Sequence, residues 1–343
     1  MKKIVLFNHK GGVSKTTSTF HIGWKIAELG HKVLLVDADP QCNLTALFLG
    51  DQFDPYYENE ETSKNNLKDG VSVAFDSTTI KVIEAFDCPH AARNENLYLL
   101  PGHMNLSEYE SQLSFSLSAP NAFLALKNLP GSFNDLIDKV CDRYSIDYVF
   151  VDLNPGLSAI NKILFLCSDA FIVPTNPDAF SLMALNSLSK IFPEWVLWKK
   201  MHIADFTDVA YPLPPTTPKF IGEIPQRFNV RNGKATSAFA DKIEALSQAI
   251  VNVLVPSLAL HGMLFDSEKY DAAGIDRNTY CLEEVKDFLT LSPKSLGVNV
   301  PVFALTDAEL NATGPVLDTA RRNRAIFDNL YLKIANKIMS VLE

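Results

Sequence analysis

The stretch Lys10-Gly11-Gly12-Val13-Ser14-Lys15-Thr16-Thr17 follows an apolar run at residues 4–7. It leads into a segment, 15–29, in which Phe20, Ile22, Ile26, Ala27 and Leu29 recur at helical spacing until Gly30 stops the pattern. That order reads as strand, loop, helix. The two glycines let the backbone turn its N–H groups toward phosphate oxygens, Lys15 adds a point charge, and the Thr16 hydroxyl stands where it can ligate Mg²⁺ at the start of the helix. The ordinary phosphate-loop spacing, G-x-x-x-x-G-K-[ST], fails at both glycines, since His9 and Ser14 occupy those places. His9 reads as a hydrogen-bonded neighbour of the loop rather than as a catalyst.

Outward from this loop, residues 33–36 (Val-Leu-Leu-Val) form a second apolar run, which ends in Asp37-Ala38-Asp39-Pro40-Gln41. Such runs fit strands buried on both faces, as in a parallel sheet, and two of them joined by a helix make a βαβ unit. The signal recurs at 97–100 before Pro101-Gly102, at 148–151 before Asp152, at 171–173 before Pro174, and at 219–224 and 300–304. Helices are expected over 106–113, 123–144, 181–198 and 240–260, and over 315–342 with a proline tolerated in the first turn. This alternation predicts an α/β fold, a doubly wound, mainly parallel twisted sheet, with ligands in the loops after Phe7, Val36 and Val151. Residues 51–65 lose all periodicity and are expected as an acidic surface loop. The less legible 201–299 is expected as an elaboration of one domain spanning 1–343.

Composition narrows the function classes. Lys+Arg 31 against Asp+Glu 40 gives a net charge of −9, and 47% of residues are hydrophobic, which excludes global disorder and a surface that is basic all over. The five cysteines show no paired spacing for zinc or an iron–sulfur cluster and fit a reducing cytoplasm. No uninterrupted apolar run approaches the ~20 residues of a bilayer span, and the apolar start is too short for a secretory signal.

The loop is similar to the deviant Walker A motif of the ParA/MinD family of P-loop ATPases, K-G-G-x-G-K-[ST]-[ST], from which it departs at Ser14. Asp37-Ala38-Asp39-Pro40-Gln41 resembles that family's switch I, and Asp152-Leu153-Asn154-Pro155-Gly156 its Walker B and switch II, with Asn154 where a second proline is common. The likeness is clearest over 1–50 and 96–190. It is faint over 219–343, where Ile224-Pro225-Gln226-Arg227-Phe228-Asn229 falls at the family's base-binding loop. The resemblance implies an ATPase that uses ATP and Mg²⁺. Lys10, Gly11, Gly12, Val13, Ser14, Lys15, Thr16 and Thr17 would then surround the phosphates, with Gln226 and Asn229 at the base. Thr16, Asp37 and Asp152 would serve Mg²⁺, Lys15 would hold the β- and γ-phosphates, and Asp39 would position the attacking water. Lys10 would reach across an ATP-sandwich homodimer to the partner's phosphates. Because Ser14 carries a Cβ, its loop must avoid positive φ or accept strain.

The resemblance also implies a dimerisation switch in DNA partition or intracellular positioning, answering to a ParB-like or other activator protein and using double-stranded DNA as its track. The first motif begins at Lys10 and leaves no room for an N-terminal helix-turn-helix, so DNA binding would be nonspecific. One alternative is a regulatory ATPase in a protein complex, such as phage defence or secretion, without a DNA track. The other is a MinD-like membrane-associated ATPase. The expected location is cytoplasmic, with nucleoid association if DNA is bound.

Two readings of the last helix stay open. Arg321, Arg322, Arg324, Lys333 and Lys337, against the single acid Asp328, either meet DNA phosphates or form a solvated face. A second basic group, Arg227, Arg231 and Lys234 beside Lys219, is a candidate lining for the nucleotide site. Ile326, Phe327, Leu330, Ile334, Ile338 and Val341 form an apolar stripe, for which core packing is the simpler reading and membrane targeting the other.

Overall fold

The computed structural model describes the chain except residues 76–81, 120–123, 229, 232, 233 and 236, and describes the backbone alone at 124, 125, 227, 228, 230, 231, 234, 235, 237 and 238. Its strands are β1 (Lys2–Leu6), β2 (Val33–Ala38), β3 (His90–Ala91), β4 (Asn94–Leu100), β5 (Tyr148–Leu153), β6 (Ala170–Thr175), β7 (Lys219–Phe228), β8 (Val230–Arg231), β9 (Lys234–Ala235) and β10 (Val285–Lys286). Eight of them form one sheet in the order β10-β7-β6-β1-β5-β2-β4-β3, and β8 pairs with β9 separately. Within the large sheet only β3–β4 is antiparallel. Strands β2, β5 and β6 are buried at every residue and β1 at all but Lys2, as continuous apolar runs require between two helical layers.

The helices are α1 (Lys15–Glu28), α2 (Asn43–Leu49), α3 (Phe53–Glu58), α4 (Leu67–Phe75), α5 (Glu110–Ser118), α6 (Leu129–Tyr144) and α7 (Ala159–Leu166). They continue with α8 (Ala179–His202), α9 (Ser237–Ala249), α10 (Val255–Leu260), α11 (Ser267–Ala272), α12 (Leu291–Val298), α13 (Asp307–Leu310) and α14 (Gly314–Leu342). Helix α1 lies against β2, β4 and β5 and is covered by α14. Phe165 of α7 and Phe192 and Trp195 of α8 pack around Phe7, with ring centroids 5.6–6.2 Å from it. The order places β1 between β5 and β6, so the chain leaves the first strand near the point where the winding reverses, the place where open α/β sheets bind ligands.

Three expectations are corrected. Residues 300–304 are not a strand: Pro301 precedes a 3₁₀ turn, Val302–Ala304, and the Val302 N–H donates to His21 Nε2 of α1 rather than to a sheet partner. The sheet edge is taken instead by β10, paired to β7 with Val285 opposite Gln226. Residues 51–65 are not a plain loop. They contain α3 and a turn, tied down because Tyr56 donates to the Asn65 carbonyl at 2.8 Å and Tyr57 to that of Gly102 at 2.5 Å. The helix expected over 123–144 is a 3₁₀ turn, Leu124–Asn128, followed by α6 with a proline in its first turn, and Phe123 lies outside the described residues. The helix expected over 240–260 is present as α9, a π-helical turn and α10; Phe239–Leu260 is long and apolar enough by composition to cross a bilayer, with one third of its most apolar 18-residue window buried here as it packs along α8. Polar residues such as Asp241, Lys242 and Glu244 interrupt it, so a search for unbroken apolar runs passes over it. Its π-helical turn, Ile250–Leu254, sits just ahead of Pro256, whose missing N–H breaks the i→i−4 ladder.

Candidate functional site

The loop after β1 is held from both sides. Asn8 accepts the Lys10 N–H at 3.0 Å and donates to the Pro174 carbonyl at the end of β6, while Asn176 donates to the Gly12 carbonyl at 3.1 Å. Gly12 has φ 74°, and Ser14 adopts φ 56°, ψ 33°, so the loop takes the strained alternative at the position where the family more often has glycine. A left-handed non-glycine residue costs about 1–2 kcal/mol. Ser14 makes no side-chain cap and the first turn of α1 carries no acid, which leaves its N–H groups and the positive end of its dipole to face an anion. Lys15 donates to the carbonyls of Asn8 at 3.0 Å and Lys10 at 3.4 Å. Burial lowers its pKa, against the pull of Asp152 and Asp39. His9 is not hydrogen-bonded as expected at Nδ1, which is buried without a partner among the described residues, and burial and Lys15 both lower its pKa.

Sheet register brings the acids to this loop. Leu6 pairs with Asp152, and Asp152 with Asp37, so two carboxyls sit side by side on neighbouring parallel strands where the phosphate loop begins. Asp37 accepts from the Thr45 N–H at 2.8 Å, the Thr45 hydroxyl at 2.7 Å and the Asp39 N–H at 3.2 Å, yet burial still pushes its pKa to about 6. Asp39 accepts the Gln41 N–H at 2.9 Å. Among the described residues, both oxygens of Asp152 are buried without a hydrogen-bond partner. Burial first, then Asp37, raises its pKa to about 8, while the nearby Thr16 hydroxyl and the Lys15 ammonium pull the other way. Native interiors do not leave carboxyl oxygens orphaned without a reason, and a divalent cation supplies one. Among the described residues no three His, Cys, Asp or Glu side chains could cage a metal alone. That suits Mg²⁺, which keeps waters and takes one or two carboxylates plus substrate phosphates.

Lys10 pairs with the Asp178 carboxylate and donates to the Ser181 hydroxyl at 3.2 Å. Asp178 is the N-cap of α8 and accepts the Ser181 N–H at 2.8 Å, so the lysine is parked on a preformed acceptor. Gln226 donates to the Ser18 hydroxyl and, with Ser14, Thr17 and the segment 285–288, lines a cavity of about 160 Å³ beside the loop. The expected Asn229 lies outside the described residues, as do the side chains of Arg227, Arg231 and Lys234.

Residues 1–201, more than half of the chain, match the protein family described as an AAA domain. The virulence plasmid ParA family protein pGP5-D of Chlamydia psittaci is 31% identical over 193 residues, 55% of this chain and 62% of the relative. This chain belongs to the ParA/MinD family of P-loop ATPases. Maintenance of carboxysome distribution protein A of Gloeothece citriformis is 26% identical over 274 residues, 80% of this chain and 87% of the relative. Among solved structures, protein DIP2308 of Corynebacterium diphtheriae is similar in fold, with a TM-score of 0.61 at 23% identity, covering 87% of this chain and 97% of that one. The chain spans about half the length of the curated relatives it matches at 36% identity.

The deviant loop and both acidic strand ends come together in this chain; the terminal basic group does not. Arg321 is paired with Asp307 at 2.6 Å and Arg324 with the same acid at 3.1 Å, while Lys337 pairs with Glu283 at 3.2 Å. Among the described residues Arg322 bonds only within its own helix, and Lys333 is exposed. Phe327, Ile334, Ile338 and Val341 are buried, so the apolar stripe is spent on the core, with Ile326 left exposed. Sequence reading missed Asn8, Thr45, Asn176 and Asp178. The Asp178-x-x-Ser181 capping pattern is the one local signal that points to any of them.

Proposed function

We propose that the protein is an ATP-dependent dimerisation switch of the partition and positioning kind, acting in the cytoplasm. The observation that carries this is Asp152, whose two buried, unpartnered oxygens stand beside Asp37, Thr16 and Lys15 at the mouth of an uncapped helix. Bound Mg²⁺-ATP would supply the scissile phosphoanhydride and its charge-neutralising cation. Gly11, Gly12, Val13 and Ser14 offer backbone N–H groups to the phosphates, Lys15 holds the β- and γ-oxygens, and Thr16 and Asp152 hold the cation side, with Asp37 behind them. Asp39 orients water for attack, and ADP and phosphate leave. Lys10 exchanges Asp178 for the phosphates of a second copy. Exposed Phe180 and Met183 on the first turn of α8, at 69% and 68%, and Leu157 at 53%, support a face that a second copy covers.

The relatives named for plasmid ParA and carboxysome distribution support the positioning role. An activator protein and nonspecific duplex DNA complete the proposal, with Arg322 and Lys333 as the cations of α14 that meet phosphates. Three measurements test it. Lys15→Ala abolishes ATP binding by calorimetry, and retained affinity refutes the site. Asp39→Ala with Mg²⁺-ATP sediments as a dimer, and a monomer refutes the switch. That dimer binds random-sequence duplex DNA in a salt-sensitive manner, and no binding at low salt removes the DNA track.

A further inference from the structure

A second concavity, of about 410 Å³, opens between α5, the first turn of α7 and the end of α8, and shares no lining residue with the cavity beside the phosphate loop. Leu117, Leu157 and Trp198 give it an apolar wall, Ser158 lies at its edge, and Lys162 and His202 supply nitrogen. The Lys162 ammonium stands 4.1 Å from the centroid of the Trp198 ring and has neither a hydrogen bond nor an ion pair among the described residues. Burial lowers its pKa to about 8, with Glu194 opposing from beyond ion-pair distance. Glu110 and His202, which also line the cavity, each have a partner. Glu110 accepts the N–H groups of Ala159 and Ile160, the latter at 3.3 Å, and His202 lies 3.4 Å from Asp205. Trp198 is fixed in place, its indole N–H donating to the Leu117 carbonyl at 3.1 Å.

A partly desolvated cation whose opposing anion, Glu194, lies beyond ion-pair distance is costly to keep, and here it faces an open space lined by an indole, two leucines and the polar Glu110, Ser114 and Ser118. We propose that this cavity binds a small organic carboxylate, whose carboxylate pairs with Lys162 while its apolar body lies against Trp198, Leu117 and Leu157. Ser158, the N-cap of α7, places that occupant against the helix that directly follows the Asp152 loop.

The test is calorimetric titration of the nucleotide-free protein with 1-naphthoate and with its neutral isostere 1-naphthamide. The carboxylate binds saturably, one to one and about tenfold more tightly than the amide, the scale of one hydrogen bond to a charged group. Lys162→Met loses that preference and keeps amide binding, while Lys162→Arg restores most of it. Absence of saturable naphthoate binding, equal affinity for the two probes, or a preference that survives Lys162→Met overturns the proposal. If the Met variant does not fold, ¹³C-dimethyl spectra of the reductively methylated protein decide, with the Lys162 signal assigned by its absence from Lys162→Arg: it shifts with naphthoate and not with naphthamide, and an unmoved signal overturns the assignment. Because no nucleotide is present, the outcome is independent of the ATP switch.

Discussion

Asp152→Asn is the substitution whose energetics the structure defines best. Both oxygens of Asp152 are buried without a hydrogen-bond partner among the described residues, and its pKa stands at about 8 against 3.8 for the unperturbed group, through burial and then the neighbouring Asp37. The folded protein therefore keeps a proton that the unfolded chain has already lost. The contribution of Asp152 to stability is fully present below pH 3.8 and is lost as pH rises through 8. At 1.36 kcal/mol per pH unit the full excursion is about 5–6 kcal/mol as an upper bound, and structural relaxation and water entry reduce it to about 2–3 kcal/mol. Asn cannot ionise, so the variant escapes this loss, although its buried amide carries a pH-independent cost of about 1–3 kcal/mol. The diagnostic quantity is thus the change with pH. Urea denaturation of both proteins at pH 5 and pH 8, without Mg²⁺ or nucleotide, shows the variant gaining about 2–3 kcal/mol relative to the parent between the two values. At pH 8 with Mg²⁺-ATP the parent recovers stability and the variant does not. A difference between the two proteins that stays constant from pH 5 to pH 8 refutes the reasoning, because it means Asp152 is not a desolvated, cation-seeking carboxyl.

Other outcomes follow from the same geometry. Asp178→Asn keeps the cap on α8 but loosens the hold on Lys10, so ATP-dependent dimerisation strengthens by about threefold in sedimentation equilibrium; an unchanged constant rules out a competing role for Asp178. Ser14→Gly relieves a left-handed φ of 56° and, after the entropy of glycine is set against it, raises unfolding free energy by about 0.5–1 kcal/mol. No gain by chemical denaturation means that the loop is not strained. His21 is fully buried with its pKa lowered to about 3, Nδ1 donating to the Thr17 carbonyl and Nε2 accepting from Val302. The stability due to its neutral form is complete above pH 6.5 and is lost as pH falls toward 3. The deficit of His21→Gln relative to the parent therefore shrinks by about 3 kcal/mol between pH 6.5 and pH 4. A constant deficit refutes burial of the neutral ring.

Much of the site is legible in the sequence because it is written locally. Two glycines, a lysine and two threonines at a strand-to-helix junction specify anion binding through backbone geometry alone, and acids placed at the ends of β2 and β5 specify a cation side. The legible strands are those buried on both faces, where composition carries the signal. Residues 300–304 have the same apolar composition and form no strand, because Pro301 and the partner on α1 decide their fate. Tyr56 and Tyr57 organise 51–65 through carbonyls that lie up to 45 residues away. No local pattern reports such a contact.

The terminal helix shows the same division. Its length and apolar stripe are periodic and readable, whereas the pairing of Arg321 and Arg324 with Asp307 depends on how 300–314 folds back over α14. By itself the sequence determines the chemistry of the phosphate loop and the parallel α/β layering, since both depend on residues close in the chain and on burial. Only the tertiary structure decides which charges remain free. Lys10 and Arg321 are claimed by acids distant or separate in sequence, while Lys162 is partly buried with Glu194 beyond ion-pair distance, and Asp152 is fully buried with only Thr16 and Lys15, among the described residues, nearby to offset its charge. That accounting depends on three-dimensional neighbours rather than on order along the chain.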